Sequence, residues 1–90
     1  MSVKLKRILG EEGVELEPSL MGGHRYLVQG PVGNPPIWTI SENNRVIDYK
    51  LSKKDALSYA RESALVSVQR FIEAFPENKE YRNIIDETQL

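Results

Sequence analysis

The segment 51–75 constrains the fold most, because it is the longest periodic stretch in the chain. At about 100° per residue, its apolar side chains fall on one stripe. Ser52 suits the N-cap of a helix and Asp55 its first turn, while Pro76 cannot continue the helical hydrogen bonds. The pattern predicts a helix over 52–75 that packs on a sheet through Leu57, Ala60, Ala64, Val68, Phe71, Ile72 and Phe75.

A β-hairpin is predicted over 37–50, with Asn43 and Asn44 at its turn. Asparagine tolerates the left-handed backbone conformation that a two-residue hairpin turn requires. With these turn residues, Ile40 faces Ile47 and Trp38 faces Tyr49. One face of the hairpin is then apolar, and we expect it to pack on the long helix through Trp38, Ile40, Ile47 and Tyr49.

The remaining segments predict an α+β fold with one domain over 1–75. Helical spacing of Leu5, Ile8 and Leu9 predicts a short N-terminal helix over 3–12 that ends at Gly13. Strands are predicted over 14–17 and 24–29, and a rigid connection over 30–36. With the hairpin they give an antiparallel sheet of three or four strands, covered on one face by the long helix. The segment 76–90 is expected to form a C-terminal arm or a short helix.

Composition excludes several classes of site. The chain has 90 residues, no cysteine, one histidine and a formal net charge of -1. A disulfide scaffold, a thiolate metal site and a multi-histidine metal centre within one chain are therefore excluded. We predict no metal site, no cofactor and no membrane segment, since the apolar runs are far too short to span a bilayer. The absence of cysteine suits a cytoplasmic protein, which is the localisation we expect.

His24 is the candidate catalytic residue, because it is the only side chain whose ordinary pKa lies near neutrality. It follows Gly22 and Gly23 at the start of a predicted strand. It could act as a general acid or base on a substrate that lies against this glycine pair. The alternative interpretation is an ordinary surface histidine at a strand end.

A resemblance bears on His24. Two stretches of the chain resemble the start of the HicA family of messenger-RNA-cleaving toxins. They are Lys-Leu-Lys-Arg-Ile-Leu-Gly-Glu-Glu-Gly-Val-Glu-Leu-Glu-Pro, which begins at Lys4, and Gly-Gly-His-Arg-Tyr-Leu-Val, which begins at Gly22. The resemblance implies a fold like that of a double-stranded-RNA-binding domain, with the order helix, three strands, helix. It also implies that His24 is the catalytic histidine. The residues around His24 do not reproduce the serine and second histidine of the family.

Two groups of basic residues are candidates for contact with a phosphate backbone. One lies near the N-terminus and the other around the start of the long helix, with Arg25 between them in the sequence. The alternative interpretation is solvated surface charge. The candidate nucleic-acid-binding residues are Lys4, Lys6, Arg7, Arg25, Lys50, Lys53 and Lys54.

The far side of the long helix is a candidate protein interface. Tyr59 and Val66 are seven positions apart, so they lie near each other on that side, and Glu62 and Glu73 flank them with Asp55. An apolar pair in an acidic frame suits self-association or a basic partner protein. Alternatively, the segment 81–85 folds over this pair.

From these patterns we expect a small non-catalytic interaction or regulatory protein of prokaryotic or phage type. Its partner would be a protein, a second copy of the chain, or RNA. The competing hypothesis is a HicA-like ribonuclease that uses His24. No phosphate-binding loop, dinucleotide fingerprint or activated serine occurs in the sequence.

Overall fold

The computed structural model describes residues 3–17, 24–76 and 84–88. They form one six-stranded sheet, in the order β5-β4-β3-β2-β1-β6, and one long helix, α1, that covers one of its faces. The elements are β1 Val3–Arg7, β2 Gly13–Glu17, β3 Arg25–Val32, β4 Ile37–Glu42, β5 Arg45–Lys50, α1 Lys53–Ala74 and β6 Ile84–Asp86. The fold is α+β, as predicted. Strands β1 to β5 are antiparallel, and β6 is parallel to β1.

The predicted N-terminal helix over 3–12 is wrong, because Val3–Arg7 forms strand β1. The alternation Lys4, Leu5, Lys6 has the period of two that a strand needs, and it places Leu5 in the core while both lysines face away from α1. Leu9, which the helical spacing placed with Leu5, is fully exposed. A turn at Gly10, whose φ is +80°, then leads into β2.

Strand β2 confirms the predicted strand over 14–17 and begins one residue earlier, at Gly13. Gly13 starts this strand rather than ending a helix, and a side chain there would collide with the carbonyl oxygen of Tyr26, since a Cβ would lie 2.2 Å from it. Strand β3 confirms the predicted strand over 24–29, although it runs from Arg25 to Val32. A turn over 33–36 connects it to β4.

The hairpin of β4 and β5 confirms the predicted turn. Asn43 and Asn44 have φ values of 50° and 71°, and Glu42 pairs with Arg45 as expected. Beyond Ser41 and Val46 the register shifts, because β5 carries an extra residue there: Ile40 pairs with Asp48 rather than with Ile47.

The shift moves Tyr49 to the other face of the sheet. Tyr49 pairs with Thr39 rather than with Trp38, and its side chain is 57% exposed. The predicted apolar face is therefore correct for Ile40, which is fully buried, and for Trp38, which packs against the core. It is wrong for Tyr49, and Ile47 remains 39% exposed beside the helix.

Helix α1 confirms the predicted long helix to within one residue at each end. The Asp55 N–H donates to the Ser52 hydroxyl at 3.1 Å, and the Phe75 N–H donates to the Phe71 carbonyl at the other end. Small side chains bring the helix close to the sheet, whose larger residues fill the core. The buried helix residues are Ala56, Ala60, Ala64 and Val68, so Ala56 stands where Leu57 was expected, and Phe75 is 39% exposed.

A strand in the C-terminal segment was not predicted. Residues 84–86 form β6 next to β1, and the Glu87 N–H donates to the Leu5 carbonyl at 2.8 Å. This strand lies at the opposite edge of the sheet from β5. The part of the predicted arm or helix over 77–83 lies outside the described residues, as does Tyr81.

Candidate functional site

A groove runs between α1 and the β4–β5 hairpin, with a volume of about 480 Å³. We call it the helix–hairpin groove. The sheet contributes Tyr26, Glu42 and Ile47 to its lining, and α1 contributes Tyr59, Glu62, Ser63, Val66, Ser67 and Arg70. Residues spaced three and four apart on a helix share one side, which is why these positions of α1 line a single groove.

Three of the four predicted interface residues line this groove together: Tyr59, Glu62 and Val66. Tyr59 was expected opposite the core, but its half-buried ring packs against the core, and the Lys50 ammonium lies 4.9 Å from the ring centroid. Glu73 is exposed near the end of α1 and does not line the groove. The segment 84–85, which could have covered the groove, pairs with β1 instead.

The lining of the groove combines apolar and charged side chains. Val66 is 44% exposed and Ile47 is 39% exposed, so both present apolar surface to solvent. Two carboxylates, Glu42 and Glu62, face the groove with one guanidinium, Arg70. The lining therefore carries a formal net charge of -1, which favours a ligand that is both apolar and positively charged.

Tyr26 anchors the floor of the groove to α1. Tyr26 is fully buried, and its hydroxyl lies 2.5 Å from the Ser67 hydroxyl on α1. Burial raises the pKa of the Tyr26 phenol, the hydrogen bond with Ser67 lowers it, and the nearby Glu42 raises it again. The net shift is upward, so this phenol stays neutral at pH 7 and holds β3 to the helix.

His24 lies at one end of this floor. Its Nδ1 is 3.9 Å from Glu42 Oε1, which is too long for a hydrogen bond, and its ring stacks against Tyr26 with centroids 6.5 Å apart. Among the described residues, no atom forms a hydrogen bond with the buried Nδ1. A carboxylate beside a histidine nitrogen can orient the ring.

The predicted nucleic-acid-binding residues do not share one surface. Lys4, Lys6 and Arg25 lie on the face of the sheet away from α1, whereas Arg7 and Lys50 lie on the helix side. Lys53 and Lys54 are in the first turn of α1.

Acidic partners neutralise several of these basic side chains. Ion pairs join Lys6 to Glu17 at 2.8 Å, Arg25 to Glu11 at 3.1 Å and Lys53 to Glu12 at 2.7 Å. Two guanidinium nitrogens of Arg7, Nε and Nη2, donate to the Thr88 carbonyl, at 3.1 and 2.7 Å.

Exposed apolar side chains are concentrated on the side of the molecule where β5 lies. Eight large apolar side chains are exposed among the residues whose burial is described. Four of them belong to β5 or directly follow it, and a fifth, Val66, lines the groove beside it. The four are Val46, Ile47, Tyr49 and Leu51.

A second cleft, of about 410 Å³, lies between the start of α1 and the β1–β2 turn. Its two arginines already hold the C-terminal strand: Arg7 binds the Thr88 carbonyl, and Arg61 donates to Asp86 at 2.7 Å. Asp86 also accepts from the Thr88 N–H and hydroxyl. Both arginines of this cleft are therefore engaged in holding the C-terminal strand.

No group of three metal-binding side chains occurs within residues 3–17, 24–76 and 84–88. The helix of the described part of the chain is not apolar enough to cross a membrane.

Comparisons with protein families, curated proteins and solved structures find no match for the chain.

Sequence reasoning found most of the helix side of the groove and one residue of its sheet side. Ile47 faces the helix, as the hairpin pattern predicted, whereas Glu42 was not identified as a site residue. Arg70 has the helical spacing of Tyr59, Ser63 and Val66, so this periodicity could have identified it.

Proposed function

We propose that the chain is a small protein-binding module whose helix–hairpin groove receives a basic and apolar segment of a partner protein. The observation that carries this proposal is that two exposed apolar side chains, Ile47 of β5 and Val66 of α1, line the groove together. Exposed apolar patches rimmed by polar groups are typical of protein-interaction sites. Glu42 and Glu62 supply the polar rim, and their charge selects a basic segment.

Charge distribution favours a protein partner over RNA. Nucleic-acid binding depends on cations that are free to neutralise phosphates. Lys6, Arg25 and Lys53 each face a glutamate within 3.1 Å, and the basic residues are spread over two faces of the sheet. RNA binding by these residues remains a prediction that this arrangement does not favour.

The partner would bind through side chains rather than by adding a strand to β5. An irregular register and a polar side chain that caps the backbone both protect an edge strand from pairing. Strand β5 has both features, since its register shifts near Ile47 and the Tyr49 N–H donates to the Asp48 carboxylate at 2.7 Å.

Fluorescence anisotropy with short labelled peptides tests this function. Peptides that contain lysine and leucine should bind, whereas peptides of equal length that contain glutamate and leucine, or lysine and serine, should not. Val66→Lys should weaken binding at least about tenfold, because it places a positive charge on the apolar wall that would repel a basic peptide. Val32→Lys is the matched control, since Val32 is 45% exposed and does not line the groove. Equal loss in both variants, or binding by all three peptides, would refute the proposal.

A second candidate function is RNA cleavage with His24 as general base, and the nearby Glu42 carboxylate favours it. A histidine ring oriented by a carboxylate can remove the proton from a ribose 2′-hydroxyl. Incubation of labelled RNA with the wild type, His24→Ala and Glu42→Gln tests this candidate. Cleavage by the wild type that is lost in His24→Ala would support it, and unchanged cleavage in His24→Ala would exclude it.

A further inference from the structure

The chain itself carries a segment of the kind that the groove requires. The junction of β5 and α1, residues 50–54, comprises the end of β5, the connection 51–52 and the first turn of α1, and it presents Leu51, which is 72% exposed, and three lysines. We call it the lysine turn. Lys50 lies over the Tyr59 ring and Lys53 pairs with Glu12, but Lys54 forms no ion pair among the described residues. Leu51 and Lys54 thus offer an apolar side chain next to a free cation.

The groove offers an apolar side chain next to a free carboxylate, which complements Leu51 and Lys54. Val66 is 44% exposed, and Glu62 is exposed without an ion pair among the described residues. Within one copy, Lys54 and Glu62 cannot meet, because eight positions along a helix correspond to roughly 12 Å. Both charges are therefore available to a second molecule, as far as the described residues are concerned.

A two-fold axis between two copies of the chain can bring Leu51 and Lys54 of one copy next to Val66 and Glu62 of the other. Ser58 is midway between Lys54 and Glu62 on the exposed side of α1. When two antiparallel helices are related by a two-fold axis beside Ser58, each Lys54 comes opposite the other copy's Glu62. Leu51, which precedes the helix, comes close to the level of the other copy's Val66. A two-fold interface uses the same patch on both subunits, which requires this kind of self-complementarity.

We infer that the partner is a second copy of this chain, bound about a two-fold axis beside Ser58, with the lysine turn of each copy against the groove of the other. The inference rests on the proposed function and specifies its partner. Two ion pairs and two apolar contacts form per dimer, because the two-fold axis repeats each contact once. Ser58 has a short side chain, so the helices can approach closely where they cross.

Charge reversal, followed by sedimentation velocity, tests the inference. The wild type should sediment as a dimer at high concentration. Lys54→Glu and Glu62→Lys should each weaken dimerisation at least about tenfold, because each places like charges opposite each other twice. The double variant should dimerise again. Lys4→Glu is the control, since Lys4 lies on the other face of the sheet and its reversal should leave the dimer intact.

Mixing the two single variants gives the sharper result. At one contact, the new carboxylate at position 54 of the first variant then faces the new ammonium at position 62 of the second. At the other contact, the unchanged Glu62 of the first variant faces the unchanged Lys54 of the second. The mixture should form a heterodimer although each variant alone is monomeric. A mixture that stays monomeric, or a wild type that remains monomeric up to about 1 mM, would overturn the inference.

Peptide binding to Lys54→Glu separates this inference from the proposed function. This variant retains the whole groove lining. If the lysine–leucine peptide binds it while the wild type never dimerises, only the identity of the partner is wrong. If the peptide does not bind the monomeric variant, the proposed function itself fails.

Discussion

The two ends of the sheet are both edge strands, β6 and β5, and among the described residues each pairs with a strand on one side only. At the first end, side chains bind each other and the backbone: Arg7 binds the Thr88 carbonyl and Arg61 pairs with Asp86, which ties β6 to the rest of the fold. The second end leaves apolar side chains in solvent and protects its backbone with an irregular register and a side-chain cap. The polar contacts of the C-terminal strand are therefore at the β6 end, and the exposed apolar surface is at the β5 end, which we call the open end.

The largest expected difference between the two ends comes from a matched pair of leucines. Leu5→Ala, at a fully buried position of β1, should lower the free energy of unfolding by about 3 kcal/mol, because it leaves a cavity in the core. Leu51→Ala, at a side chain that is 72% exposed, should change it by less than about 0.5 kcal/mol. Urea unfolding of dilute protein measures both. Similar losses in the two variants would contradict the contrast between the ends.

The C-terminal contacts give the next largest effect. Asp86→Asn should cost about 1–2 kcal/mol, because Arg61 and Thr88 lose a charged acceptor. Glu73→Gln, on an exposed part of α1, is the control and should have no measurable effect.

The pH dependence of Asp86→Asn provides a separate check. Burial alone would raise the pKa of Asp86, but hydrogen bonds from Thr88 and Arg61, together with the Arg61 charge, lower it overall. A lowered folded-state pKa means that the stabilisation is present above the ordinary aspartate pKa of about 3.9 and is lost as pH falls through the folded value. The stability difference between wild type and variant should therefore shrink in acid, and a difference that grows would contradict this.

The hydrogen bond beneath the groove should have a smaller effect. Tyr26→Phe should cost about 1 kcal/mol, because it removes the bond to Ser67 while keeping the ring. The raised pKa of Tyr26 stabilises the fold below the ordinary tyrosine pKa of about 10, and this contribution is lost as pH rises through the folded value. Combination with Ser67→Ala in a double-mutant cycle should show that the two losses are not additive. Additive losses would mean that the two hydroxyls are not bonded.

The smallest effect on stability is expected on the face of the sheet that lies away from α1. Lys6→Ala removes the ion pair with Glu17, which raises the pKa of Lys6 and lowers that of Glu17 through a hydrogen bond and charge attraction. Because the pair is exposed, its loss should not move the urea midpoint. A clear shift of the midpoint would show that this face is more structured than its exposure indicates.

Local sequence signals predicted the parts of the fold that depend on a few neighbouring residues. Ser52 and Pro76 mark the ends of α1, and the Asn43–Asn44 pair marks the hairpin turn. The prediction of a helix at Val3–Arg7 was wrong because this short stretch fits both the helical and the strand period. Leu5 and Ile8 have helical spacing, while the lysines that flank Leu5 alternate with it as in a strand. Pairing with β2 and β6 decides between them, and that pairing is a property of the whole sheet.

The site was predictable on its helical side and in part on its sheet side. Tyr59, Glu62 and Val66 follow from helical periodicity, and Ile47 follows from the hairpin pattern, which placed it on the face toward the helix. The exposure of Tyr49 on the other face was not predictable, because it results from the register shift in β5, and no local rule places such a shift. The role of Asp86 was hidden for a similar reason: its partners, Arg61 and Thr88, meet it only when β6 pairs with β1.

The most direct test of the central claim, that the open end of the sheet binds protein, is to locate a bound lysine–leucine peptide with a spin label. The chain has no cysteine, so a label on the peptide is the only thiol-attached probe in the sample. Amide signals of β5 and of the middle of α1 should be broadened in the NMR spectrum of the complex, while those of β1 and β6 remain sharp. Broadening at β1 and β6, with β5 unaffected, would contradict the account.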